Sequence, residues 1–203
     1  MQKTPSELAF FIPSGYSEKG TIINFGKKMT TEIVLVNDND EIIGTSEKLE
    51  AHRKGLLHRA VSVFLIRKVD HVKEILIQKR ALKKYHSGGL WSNSCCTHIM
   101  PGETIMGAAK RASLHELGVS PKLFLSAGFF RYYAEFDNEY TEHEIDHVVV
   151  GIADGLTLNP NPDEVDDHKW VNINYLWGRI EANPAEYTAW FKSALQQAAG
   201  HLY

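Results

Sequence analysis

Four short stretches concentrate side chains able to move protons or hold a metal ion. They are Ala51-His52-Arg53-Lys54-Gly55-Leu56-Leu57-His58-Arg59-Ala60, Trp91-Ser92-Asn93-Ser94-Cys95-Cys96-Thr97-His98, the run from Glu103 to Gly118, and Thr141-Glu142-His143-Glu144. In an extended segment, residues two apart share a face. Cys96 then stands beside His98, and Glu142 beside Glu144. Imidazole and carboxylate together suit a first-row divalent ion such as Mn²⁺, Fe²⁺ or Zn²⁺. His52, His58, His98, Glu142 and Glu144 could supply such a set. The spacing alone leaves plainer alternatives open: hydrogen-bonded or surface histidines, a solvated pair of strand glutamates, and a cysteine acting as a small buried hydrophobe.

The elements that must position these groups come from a chain of 203 residues, enough for one domain with a sizeable core. Hydrophobic residues at 43% and charged residues at 23% are ordinary for a soluble globular protein. A net charge of -3 argues against a nucleic-acid partner, which calls for a basic excess or stripe. The longest apolar runs, Ala60–Ile66 and Val148–Ala153, are too short to span a bilayer. The first 30 residues carry no secretion signal, so a cytoplasmic location is expected. The adjacent Cys95 and Cys96 would make a badly strained disulfide and suit a reducing compartment. Without further cysteines a finger-type thiolate zinc site is excluded.

Residues 1–28 show no period and carry several prolines and glycines; they read as an extension upstream of a single domain over 29–203. Glu32–Val36 reads as a strand, and Asp38-Asn39-Asp40 turns it into a hairpin with Ile42–Ile43. A short helix is expected over Ser46–Ala51, then strands over Arg59–Arg67 and Glu74–Arg80. Glu103–Leu117 is the central helix, with Gly118 as its C-terminal cap. Phe129–Phe136 and Ile145–Ala153 read as long strands and His168–Val171 as a short one. Asn183, Pro184 and Glu186 have the capping pattern that starts a last helix. The sum is a mixed α+β domain.

Three motifs in series carry a family resemblance. Leu-His-Arg-Ala-Val-Ser-Val-Phe at 57–64, Trp-Ser-Asn-Ser-Cys-Cys-Thr-His at 91–98 and Thr-Glu-His-Glu at 141–144 resemble the type I isopentenyl diphosphate isomerases. The match runs over about residues 30 to 200 and implies a Nudix-like mixed sheet flanked by helices. It implies the interconversion of isopentenyl and dimethylallyl diphosphate through a tertiary carbocation. His52, His58, His98, Glu142 and Glu144 match the family's metal ligands, with Mn²⁺ or Zn²⁺ as the expected ion. Cys96 matches the catalytic cysteine, and Glu144 is also the second acid/base group. Glu116 matches the carboxylate that helps hold Mg²⁺ on the diphosphate. Lys48, Arg80 and Lys84 fall where the family contacts that diphosphate, and Tyr132 and Trp190 where it lines the hydrocarbon pocket.

The central helix also resembles a decayed Nudix box: Glu103, then Arg111-Ala112-Ser113-Leu114-His115-Glu116-Leu117-Gly118. A Nudix hydrolase of nucleoside diphosphate derivatives, the chief alternative, would carry carboxylates where Ala112 and His115 stand, and Gly in place of Thr97. A non-catalytic Nudix-like binding module is a third possibility; it predicts no turnover and no need for the Cys96 thiol.

Overall fold

The computed structural model describes residues 31–136 and 139–202, so the extension expected over 1–28 lies outside the described residues. The chain opens with β1 (Glu32–Val36), β2 (Ile42–Glu47) and α1 (Lys48–Arg53). The hairpin β3 (His58–Val69) and β4 (Val72–Arg80) follows, then the short β5 (Trp91–Ser92) and β6 (Cys95–His98). After α2 (Ile105–Leu117) come β7 (Phe124–Glu135), β8 (Thr141–Ile152) and β9 (Val165–Asn172). Helices α3 (Ile173–Ala182) and α4 (Phe191–Leu202) close the described chain. Pairing is antiparallel except between β3 and β8, which run parallel.

Strand β3 is the spine, because it pairs with β1, β4, β6 and β8. Its alternate residues divide the core. Val61, Val63 and Leu65 join Val34, Leu76, Ile145, Val149 and the Ala108, Ala109 and Ala112 face of α2. Phe64 and Ile66 join Ile75, Val148, Val150, Leu176, Phe191 and Leu195, under α3 and α4. Small alanines let α2 lie close on its face of the sheet. Thr104 caps that helix by accepting from the Gly107 N–H at 3.1 Å. Gly118 ends it at φ +67°, with its N–H directed to the Leu114 and Ser113 carbonyls. The left-handed conformation favours glycine there.

The mixed α+β architecture agrees with the sequence reading, and the differences lie at the ends of elements and in the C-terminal third. Strands β7 and β9 begin earlier than their hydrophobic runs, and β2 extends to Glu47, which displaces α1 to Lys48. The capping pattern at Asn183 does not open the last helix. Asn183 follows α3, its side chain makes no capping bond, and Pro184–Glu186 forms one 3₁₀ turn. Tyr187 then becomes extended at φ −118°, ψ 153°, and the final helix starts only at Phe191. Asn172 is the working cap in this region: its side chain accepts from Asn174 N–H at 2.9 Å and opens α3, which the pattern did not reveal. Among the described residues no helix is long and apolar enough to cross a membrane.

Candidate active site

Strand β3 sets the register of one wall. His58 lies opposite Glu144, Ala60 opposite both His98 and Asp146, and Ser62 opposite Cys96. Alternation therefore brings His58, Cys96, His98, Glu142, Glu144 and Asp146 onto one face of three neighbouring strands. At the centre of this face the small Ala60 and Ser62 leave room, and a cavity of about 300 Å³ lies against them. It is the same face that continues as Phe64 under α4, with polar groups replacing the apolar core.

Helix α1 adds His52. One ligand atom from each of His52, His58, His98, Glu142 and Glu144 lies within 4.8 Å of the others. Nδ1 of His52 donates to the Lys48 carbonyl at 2.6 Å, and Nδ1 of His58 donates to the Leu56 carbonyl at 2.7 Å. A neutral imidazole so arranged has an unprotonated Nε2. Those Nε2 atoms face carboxylates, His52 at 3.4 Å from Glu142 Oε1 and His58 at 3.3 Å from Glu144 Oε1. Two sets of lone pairs in such proximity require a positive charge between them. Burial lowers the pKa of His58, yet the opposing pull of Glu144 and Glu142 raises it overall, which expresses the same requirement. His58 Nε2 is also buried without a hydrogen-bond partner. The donor set thus fits a divalent cation held by imidazoles and carboxylates.

The two cysteines point to different places. Cys95 is fully buried, with Sγ 3.6 Å from Ser113 Oγ on α2. Cys96 lines the cavity, and its Sγ lies 3.7 Å from Nη1 of Arg80. Burial pushes the Cys96 thiol up to about 12, although Arg80 acts in the other direction. Glu144 is pushed up to about 7, by burial first and by Glu142 next. Tyr132 donates its hydroxyl to Glu144 Oε2 at 2.7 Å. Trp190, just ahead of α4, is fixed by donation from Nε1 to Asn93 Oδ1 at 3.0 Å, and the Arg80 guanidinium lies 5.3 Å from its ring centre.

The basic residues gather along the same cavity. Lys48, Arg80 and Lys84 line it together with Glu116. Burial, then the neighbouring Lys84, lowers the pKa of Lys48. Lys84 is ion-paired with Glu164. Glu116 accepts from Gln78 Nε2 at 2.9 Å, and burial raises its pKa. The structure therefore brings all twelve sequence-derived candidates (His52, His58, His98, Glu142, Glu144, Cys96, Glu116, Lys48, Arg80, Lys84, Tyr132 and Trp190) around one cavity and the adjoining cluster of possible metal ligands.

The NUDIX domain family matches residues 56–191. An isopentenyl-diphosphate Delta-isomerase of Aliivibrio fischeri is 41% identical over 178 residues, covering 86% of this chain and 98% of the relative. One from Pectobacterium atrosepticum is 42% identical over 163 residues, covering 80% and 88%. The chain belongs to the isopentenyl-diphosphate Delta-isomerase family. Among solved structures, a Deinococcus radiodurans protein has a TM-score of 0.59 at 22% identity, covering 74% of this chain and 89% of that one. The NUDIX domain of Shewanella oneidensis NrtR, solved with ADP ribose, has a TM-score of 0.56 at 14% identity, covering 72% and 88%. These two likenesses establish the fold alone.

Within this isomerase family member the Nudix helix lacks two of the box carboxylates. Ala112 is buried in the apolar core that packs against the sheet. His115 is largely exposed and reaches Glu164 at 3.3 Å. Arg111 binds Glu103 at 2.8 Å and the His98 carbonyl at 3.0 Å, so these two box residues brace the strand that carries Cys96 and His98. Sequence reasoning missed His86, Asp146 and Glu164, all of which line the cavity. Asp146 was within reach of the alternation that singles out Glu142 and Glu144, since it is the next residue on that face. His86 and Glu164 lie in aperiodic loops, which offer no comparable signal.

Proposed function

We propose that this cavity isomerises isopentenyl diphosphate to dimethylallyl diphosphate with Cys96 and Glu144 as the proton-transfer groups. The observation that carries the reading is the placement of a thiol from β6 and a Tyr132-bonded carboxylate from β8 around one small cavity with a basic end. The substrate's alkene has no acidic hydrogen that a side chain can remove directly. A proton is added to its terminal carbon, the charge settles on the tertiary carbon, and a proton leaves the adjacent methylene. One proton enters and one departs. Burial favours the protonated form of the Cys96 thiol, and burial together with Glu142 raises the pKa of Glu144, so both groups can carry the proton that the reaction moves. The indole of Trp190 supplies a π face to the cation, worth about 2 kcal/mol or more when desolvated.

Lys48, Arg80 and Lys84 would anchor the diphosphate, and Glu116 would hold a Mg²⁺ that accompanies it. His52, His58, His98, Glu142 and Glu144 would hold a transition ion, Mn²⁺ or Zn²⁺, which orders the carboxylates and screens their mutual repulsion. The substrate is a small molecule, with no nucleic acid involved. The free thiols of Cys95 and Cys96 support a reducing, cytoplasmic setting. A hydrolytic reading is disfavoured by the side chains at 112 and 115. The test is incubation with isopentenyl diphosphate, Mg²⁺ and Mn²⁺, with products identified by NMR. Dimethylallyl diphosphate is expected; release of inorganic phosphate without it would overturn the reading.

A further inference from the structure

His86 sits in the loop between β4 and β5, a stretch without periodicity. Its imidazole is nevertheless buried, and Nε2 lies 2.6 Å from Glu142 Oε1. Its Nδ1 is 3.2 Å from Ser87 Oγ. The ring stacks on Phe136 with centroids 4.7 Å apart and meets the edge of Tyr85 at 4.4 Å and of Trp190 at 5.9 Å. The backbone of the same residue turns the other way: its carbonyl accepts from Nη2 of Arg80 at 3.4 Å. His86 is outside the five-residue cluster of metal-ligating side chains.

We propose that His86 is a positioning residue which fixes Glu142 for metal binding and, through its carbonyl, ties that metal site to Arg80 at the diphosphate end. This rests on the metal and substrate assignments above. The aromatic ring contacts leave the imidazole little freedom to rotate, so its Nε2–H is directed at a single carboxylate oxygen. With Ser87 Oγ as donor to Nδ1, the tautomer that donates from Nε2 is favoured. Glu142 is thereby held by a hydrogen bond from outside the ligand cluster while its carboxylate remains aimed at His52. Such outer hydrogen bonds reduce the number of orientations a ligand must give up on binding metal, and losing one typically costs about 10–100-fold in affinity or activity.

His86→Gln keeps an N–H near the Nε2 position, whereas His86→Phe keeps a planar ring and loses the donor. The experiment loads wild-type protein and both variants with Mn²⁺, removes excess ion, and follows metal loss to a chelator without substrate. The His86→Phe protein is expected to lose metal at least about tenfold faster than wild type, and the His86→Gln protein within about threefold of it. Excess Mn²⁺ should restore much of the turnover of His86→Phe, while its KM for isopentenyl diphosphate stays near wild type, because the carbonyl at position 86 still accepts from Arg80. Equal retention in all three proteins, or equal loss in both variants, overturns the proposal. Loss in His86→Gln alone would mean that the imidazole acts by its shape, and overturns it too. A wild-type protein that retains no Mn²⁺ overturns it as well. Isomerisation by wild type, assayed separately, tests the activity itself, so a failed activity and a failed role for His86 are told apart.

Discussion

Tyr132 and Glu144 face each other across the β7–β8 ladder, and the phenol hydroxyl donates to Glu144 Oε2 at 2.7 Å. The resemblance placed Tyr132 in the hydrocarbon wall; its hydroxyl is also the direct partner of the carboxylate. Tyr132→Phe preserves the ring and removes that donor. Turnover is expected to fall about 10–100-fold, a smaller loss than for deletion of the acid/base group itself, with bound metal unchanged. Steady-state kinetics with elemental analysis is the check. Unaltered kcat would confine Tyr132 to packing.

Glu142 and Glu144 should respond differently to the same change. Glu144→Gln retains an oxygen ligand but cannot exchange a proton, so turnover should drop about 10²–10⁴-fold and resist added metal. Glu142→Gln should weaken metal binding and recover with excess ion. In deuterated water, wild-type protein should incorporate deuterium into the dimethylallyl product. Near-normal turnover of Glu144→Gln would remove this residue from proton transfer.

The cysteines separate activity from stability. Cys96→Ala should abolish isomerisation and leave the fold intact. Cys95→Ala should leave turnover close to wild type while reducing stability by about 1–2 kcal/mol through lost packing against α2. Rates and chemical denaturation of both variants test the pair. An essential Cys95 would contradict the strand register.

Metal affinity should fall on acidification. Histidine ligands bind as neutral imidazoles, so protons compete increasingly as pH drops through about 6.5, the unperturbed histidine value. Chelator-treated protein should lose activity and regain it with Mn²⁺ or Zn²⁺. Metal content measured across pH 5 to about 8 checks the direction; constant occupancy would exclude histidine ligation.

Gly118 provides a test that does not depend on the proton-transfer roles. A Cβ there would meet the Asn159 carbonyl oxygen at 2.6 Å, on backbone held at φ +67°. Gly118→Ala should cost about 1–3 kcal/mol in urea unfolding. Because the Glu116 carbonyl accepts from Asn161 N–H at 2.9 Å in the same joint, diphosphate affinity should fall as well.

The sequence was most informative where side chains alternate along strands. Glu142 and Glu144, or Cys96 and His98, needed only the period of an extended chain to be paired. What united the two pairs was β3, whose register no local pattern expresses. The central helix was legible from Gly118 and its alanine face. The C-terminal third was harder, because the Asn183-Pro184-Glu186 capping pattern is overruled when Tyr187 and Trp190 enter the core. Helix α3 escaped notice for the converse reason: its cap, Asn172, is at the end of a strand rather than in a polar loop. His86 acquires its meaning from Glu142, 56 positions later in the chain, and only the folded chain makes that link.

Strand β3 is paired on both sides across the stretch that bears His58, Ala60 and Ser62. Inserting or deleting one residue there would turn every later side chain of the strand to the opposite face. The same event would detach His58 from Glu144 or Ser62 from Cys96. Length changes among relatives should therefore accumulate in the connections between strands, such as the β1–β2 and β7–β8 turns, while β3 drifts by substitution alone. The spacing from His58 to Phe64 is in this sense a ruler that the rest of the chain can lengthen around but not across.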